Sequence, residues 1–180
     1  METAVSLLLA DQNAALAAAH DALYPERVDE RIPLSITLLY PFVPRESLRE
    51  EHNETLRAFF AERSPLTFDF ARLAEFPGAV VYAIPEPDDE LRATMHALWA
   101  LFPDCPPYGR PGFDPPPHAT LARREGPYSR TLDEVARRLE GLLPTRFFAT
   151  EATLMEEYDP ERWRVRDTFP FGRSAPPMPR

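Results

Sequence analysis

Lysine is absent from this sequence, and all 20 basic residues are arginine. Alongside abundant alanine and proline, this reads as a bias of composition. Its chemical consequence is that any grip on phosphate falls to guanidinium groups, whose planar fork can bond two oxygens at once. Cysteine is nearly absent. Cys105 stands alone, which excludes an intrachain disulfide and a cysteine metal site and fits a reducing compartment. No apolar run approaches the ~20 residues of a membrane span. Met1–Ala10 carries Glu2 and no basic residue before its apolar run, so it does not read as a signal peptide. These absences predict a soluble, cytoplasmic protein with no membrane partner. An excess of basic charge is also missing. The net charge of −9 excludes a broad DNA-coating surface and leaves room for a local basic site.

The length suits one domain, or two small lobes on a shared core. Ala4–Leu9 reads as a buried strand, and the Ala- and Leu-rich stretch from Asp11, placed to cap it, to Leu23 reads as a helix. Ser35–Leu39 is a strand halted by Pro41 and Pro44. Arg45–Arg63 is amphipathic at helical spacing. Leu66–Leu73 and Ala79–Ile84, joined by Pro77-Gly78, read as a hairpin, and Asp88–Phe102 returns to helix period. Pro103–Pro117 is a long proline-rich loop containing Tyr108, Arg110 and Phe113. Loops of this length in compact domains are often functional. Beyond it we expect a strand over His118–Arg123, a helix over Ser129–Leu143, and a hairpin of Arg146–Glu156 with Trp163–Phe169. Hairpins between helices predict antiparallel sheets and an α+β fold. Residues 1–172 form one bilobal unit in this reading, and 173–180 a Pro-rich tail.

One phrase occurs twice. Pro33-Leu34-Ser35-Ile36-Thr37-Leu38 and Pro116-Pro117-His118-Ala119-Thr120-Leu121 both read Pro-x-(Ser or His)-x-Thr-Leu. Side chains two apart on a strand share a face. Ser35 and Thr37 therefore form one polar pair, and His118 and Thr120 another. Two such pairs brought side by side suit a phosphoryl site: histidine for proton transfer, and hydroxyls for the non-bridging oxygens. His20, His52 and His96 lie in helical segments and form no ligand-spaced cluster with His118, so neither a metal nor a cofactor is called for. Position 122 continues the face of His118 and Thr120. Arg123 thus falls on the opposite face unless the strand bulges, and Arg124 returns to the cleft side as a candidate phosphate ligand. Tyr40 and Tyr108 are candidate base-stacking contacts, with packing as the competing reading. Trp163 is assigned to core or hairpin packing rather than to a base platform.

The stretch Ser35-Ile36-Thr37-Leu38-Leu39-Tyr40-Pro41-Phe42, followed by Val43-Pro44, resembles the first motif of the 2H phosphoesterase superfamily, more narrowly its bacterial 2′-5′ RNA ligase-like branch. Pro117-His118-Ala119-Thr120-Leu121 resembles the second motif, and the likeness runs from about Val5 to Gly172. It implies a two-lobed, pseudo-symmetric fold with antiparallel sheets lining a central cleft and helices outside. It also implies chemistry on a 2′,3′-cyclic or 2′-5′ phosphodiester, with a small nucleotide or RNA terminal phosphate as partner. Carried over, His118 is catalytic and Thr37 and Thr120 bind phosphate. Ser35 departs from the pattern, which has histidine there, and its hydroxyl is neither base nor acid near pH 7. Three readings of Ser35 stay open: a phosphate ligand beside some other proton donor, a dead position in a non-catalytic binding protein, or a deliberate change.

Overall fold

The computed structural model describes residues 1–25 and 28–172. The tail expected at 173–180 lies outside the described residues. Strand β1 (Thr3–Leu8) is followed by helix α1 (Ala14–Leu23), strand β2 (Ser35–Leu39) and helix α2 (Glu50–Ala61). Strands β3 (Leu66–Phe76) and β4 (Val80–Glu86) form the predicted hairpin around Pro77-Gly78, with Gly78 at φ 73°. Helix α3 (Asp89–Leu101), strand β5 (Ala119–Arg123), helix α4 (Leu132–Arg138) and strands β6 (Thr145–Ala149), β7 (Glu151–Asp159) and β8 (Arg162–Pro170) complete the order. No helix of the described residues is long and apolar enough to cross a membrane.

The strands make two antiparallel four-stranded sheets, ordered β2-β1-β7-β8 and β5-β4-β3-β6. The fold is α+β, as expected. Both motif strands, β2 and β5, are edge strands. The segment read as one strand over Arg146–Glu156 is two strands in different sheets: β6 pairs with β3 in one, and β7 with β1 and β8 in the other. Burial explains the break. β6 alternates, burying Phe147 and Ala149, whereas Ala152–Glu156 is buried without alternation between two neighbours. Thr150 is where the chain passes from one lobe to the other.

Helix boundaries also differ from the pattern: α2 begins only at Glu50, after a 3-10 turn at Arg45–Ser47, and α4 ends at Arg138. Asn13, not Asp11, caps α1, its Oδ1 accepting the Leu16 N–H at 2.9 Å, while Ala10–Gln12 is a 3-10 turn. A cap must reach the unpaired N–H groups of the first turn, and Asn13 does so from an extended backbone. Helix α4 starts only at Leu132, behind a capping box in which Thr131 and Glu134 bond each other's backbone N–H. Gln12, left outside α1, turns to the outer edge of β6. Its amide donates to the Phe148 carbonyl at 2.9 Å and accepts the Phe148 N–H at 2.8 Å.

The two lobes share one apolar core. Phe68, Phe70 and Phe147 meet across β3 and β6 with ring centroids 4.9–6.1 Å apart, and Phe60 of α2 stacks on Phe169 and Phe171. Truncating a fully buried ring loses its transfer energy and leaves a cavity. Phe70→Ala is expected to lower the unfolding free energy by about 3–5 kcal/mol in urea denaturation. A loss below ~1 kcal/mol would place the trio outside the cooperative core.

Candidate active site

The edges of β2 and β5 face one cleft of about 510 Å³. Ser35, Thr37, His118 and Thr120, the four polar residues of the doubled phrase, all line it. Strand parity explains the first pair: Ile36 and Leu38 are buried in the core while Ser35 and Thr37 stay half-buried on the other face. His118 sits one residue before β5, at the exit of the proline-rich loop, rather than within the strand.

The cleft stays open because its two edges are occupied by side chains and loop. The Trp99 indole of α3 donates to the Leu38 carbonyl at 2.8 Å. The Tyr108 N–H donates to the Tyr40 carbonyl at 2.5 Å. On the other side, the His20 ring donates to the Thr120 backbone.

The His118 ring is held on three sides. Phe76 and Tyr82 meet it edge-on, with centroids 5.1 and 5.3 Å away, and Tyr108 stacks at 6.3 Å. Its Nδ1 lies 2.8 Å from the Pro116 carbonyl, which can only accept, so Nδ1 carries the proton. Nε2 is left as the acceptor and lies 3.4 Å from the Tyr108 hydroxyl. Burial lowers the His118 pKa below its ordinary value, against the pull of the Pro116 bond. Near pH 7 the ring is therefore neutral, with a lone pair available. Burial pushes the Tyr108 hydroxyl up to about 12, so it remains a donor.

Tyr40 and Tyr108 both line the cleft. They meet edge-on at 6.1 Å, and Trp163 closes on Tyr40 at 6.3 Å. Trp163 thus belongs to the cleft wall instead of lying only in the hairpin. Around this aromatic end stand Glu2, Glu157 and Glu161. The Tyr40 hydroxyl donates to Glu2, and burial, followed by that carboxylate, pushes the Tyr40 pKa up.

Arg124 is not brought to the site. It pairs with Glu75 at 3.3 Å and bonds the Arg130 carbonyl. Arg123 lines the cleft in its place. The cause is a register shift: Val81 pairs with Ala122 but Tyr82 with Thr120, so Leu121 is an extra residue that flips the parity after it. Sequence alternation contains no signal for that bulge.

Two further cleft residues come from outside the phrases. His20 shares the buried stripe of α1 with Leu16 and Leu23, a spacing visible in the sequence. Arg31 donates to Asp21 at 2.7 Å and to the Ile32 carbonyl at 3.3 Å, with a third N–H toward His20 Nδ1 at 3.4 Å. Its side chain is only 9% exposed, and its Nε has no partner among the described residues. Burial first, and then the Arg31 charge, lower the His20 pKa to about 4.

A family model described as the 2′-5′ RNA ligase superfamily matches residues 8–161. Among solved structures, TT0787 of Thermus thermophilus aligns at 22% identity and TM-score 0.64, covering 96% of this chain and 98% of that one. E. coli LigT complexed with NADP+ aligns at 17% identity and TM-score 0.59, and LigT complexed with 3′-AMP at 17% and 0.57, each covering 96% of this chain and 98% of that one. At such identities the likeness is one of fold. No curated protein matches the chain.

The buried, neutral His20 makes stability depend on pH. Above the unfolded pKa of about 6.5 neither state is protonated there. As pH falls from 6.5 to about 4, the unfolded chain takes up a proton that the folded chain refuses, so stability falls. Urea unfolding at pH 7 and pH 4 should show His20 contributing roughly 3 kcal/mol of this loss. His20→Gln, whatever its stability at pH 7, should show a correspondingly smaller difference between the two pH values. An unchanged difference counts against a neutral His20.

Proposed function

The chain belongs to the 2′-5′ RNA ligase superfamily, and from that premise we propose that its cleft acts on a phosphodiester of a small nucleotide or RNA end. The bond is a 2′,3′-cyclic phosphate or a 2′-5′ linkage. One observation carries this reading: Ser35, Thr37, His118 and Thr120 converge on a single cleft, where the His118 Nε2 lone pair is available. The LigT structures with 3′-AMP and NADP+ support a nucleotide ligand.

In hydrolysis of a cyclic phosphate, neutral His118 takes the proton of the attacking water at Nε2. A new P–O bond forms as the bond to one ribose oxygen breaks. The Thr37 and Thr120 hydroxyls donate to the non-bridging oxygens as charge builds. Ser35 stands where the family's first motif carries histidine, so the departing oxygen takes its proton from solvent. His118 then returns its own proton to solvent, and the cycle balances. Lacking one proton-transfer partner costs about 10²–10⁴-fold in rate. The Ser35 hydroxyl also favours a second reading, a non-catalytic phosphate- or nucleotide-binding protein on the same fold.

Incubation with 2′,3′-cyclic nucleotides and 2′-5′-linked oligonucleotides separates the two. The enzyme reading expects slow turnover, abolished in His118→Ala and accelerated at least tenfold in Ser35→His. The binding reading expects no turnover in the natural protein and activity only in Ser35→His. Inertness of both, with no phosphorylated ligand bound, sinks both readings. Because burial depresses the His118 pKa, a base role also places the acid limb of the kcat/KM profile below about pH 6.5. An acid limb above 6.5 argues against His118 as the base.

A further inference from the structure

The cleft has two chemically opposite ends. β2 runs from the Arg31 side, through Ser35 and Thr37, to Tyr40. β5 runs the other way: His118 lies beside Tyr108 at the Tyr40 end, and Arg123 packs on Tyr24 at the Arg31 end. At about 3.3 Å per residue, Ser35 and Tyr40 are roughly 17 Å apart along β2, with the Thr37 hydroxyl between them. Trp163 joins the Tyr40 end through its ring, while its backbone N–H donates to the Glu30 carbonyl at 2.5 Å.

The Arg31 end is cationic. Arg31 and Arg123 sit 5.1 Å from the same Tyr24 ring. Among the described residues Asp21 is the one carboxylate paired with Arg31, and Arg123 has no carboxylate partner. A nearly buried guanidinium beside an exposed one on the same ring is suited to a strongly accepting anion. The Tyr40 end is the reverse. Glu157 accepts the Glu2 N–H at 3.1 Å and the Glu161 N–H at 2.8 Å, and Glu2 accepts the Tyr40 hydroxyl. These bonds hold carboxylates at the rim of the aromatic group formed by Tyr40, Tyr108 and Trp163. A phosphate there meets like charge, whereas an uncharged base meets three rings to stack on.

We propose that this polarity selects a phosphodiester with one charged arm: a second phosphate lies against Arg31 and Arg123, and a plain nucleoside occupies the Tyr40–Trp163 end. The proposal deepens the phosphodiester reading and rests on it. It makes one additional phosphate favourable and a third, on the opposite arm, unfavourable.

The probes are 2′-5′-linked adenosine dinucleotides bearing no, one or two terminal phosphates, titrated calorimetrically into His118→Ala protein so that nothing turns over. One terminal phosphate is expected to tighten binding about tenfold, and a second at the far terminus to reverse most of that gain. Arg123→Gln, at an exposed position that spares the fold, should remove the gain, as should Arg31→Gln. Glu2→Gln, alone or with Glu157→Gln, should relieve the penalty of the second phosphate. Equal affinity for all three probes, or monotonic tightening with each phosphate, overturns the polarity while leaving the phosphodiester reading intact. Failure of all three to bind overturns the polarity and, if 2′,3′-cyclic nucleotides also fail to bind, the phosphodiester reading with it.

Discussion

Strands β2 and β5 are sheet edges that approach without pairing, and the cleft depends on that restraint. An edge strand presents unpaired N–H and C=O groups that must find partners. Here the partners come from elsewhere in the chain: the Trp99 indole on Leu38, the Tyr108 N–H on Tyr40 and the His20 imidazole on Thr120. Each blocker also has a place in the wall or in the core beside it. His20 and Tyr108 line the cleft directly, so the groups that keep it open also shape its interior.

The same placement sets the protonation states. His118 and His20 are both pushed toward the neutral imidazole by burial, yet they serve different ends. The His118 proton is fixed on Nδ1 by Pro116, leaving Nε2 as an acceptor. His20 Nδ1 instead faces the Arg31 guanidinium at 3.4 Å, a fixed cation beside which a further proton is disfavoured. The fixed positive charge of the cleft is therefore guanidinium charge. It lies at the Ser35 end, where the pair of phrases lacks an imidazole.

Much of this was legible in the sequence. The doubled phrase placed Ser35, Thr37, His118 and Thr120 together because period-2 alternation is a short-range property that the sheet preserves. The α+β class followed from hairpins between helices. What was not legible depended on register and on long-range partners. Leu121 is an ordinary strand residue whose bulge exists only against Tyr82 and Val81, and it exchanges Arg123 for Arg124. The passage of β6 and β7 into different sheets is likewise decided by neighbours, since Thr150 carries no breaker. Arg31 sits in a charged connection that looks solvated until Asp21 and Tyr24 close on it.

Gln12 has a consequence beyond the cap boundary that frees it. Its amide offers the donor and acceptor of a peptide unit, and both are spent on Phe148 at the outer edge of β6. Sheet growth by strand addition from a second molecule would first have to displace that two-bonded amide, next to a Phe148 side chain that is 44% exposed. A single glutamine thus acts as a guard against edge-to-edge aggregation, at a place where a free backbone and an exposed aromatic ring coincide.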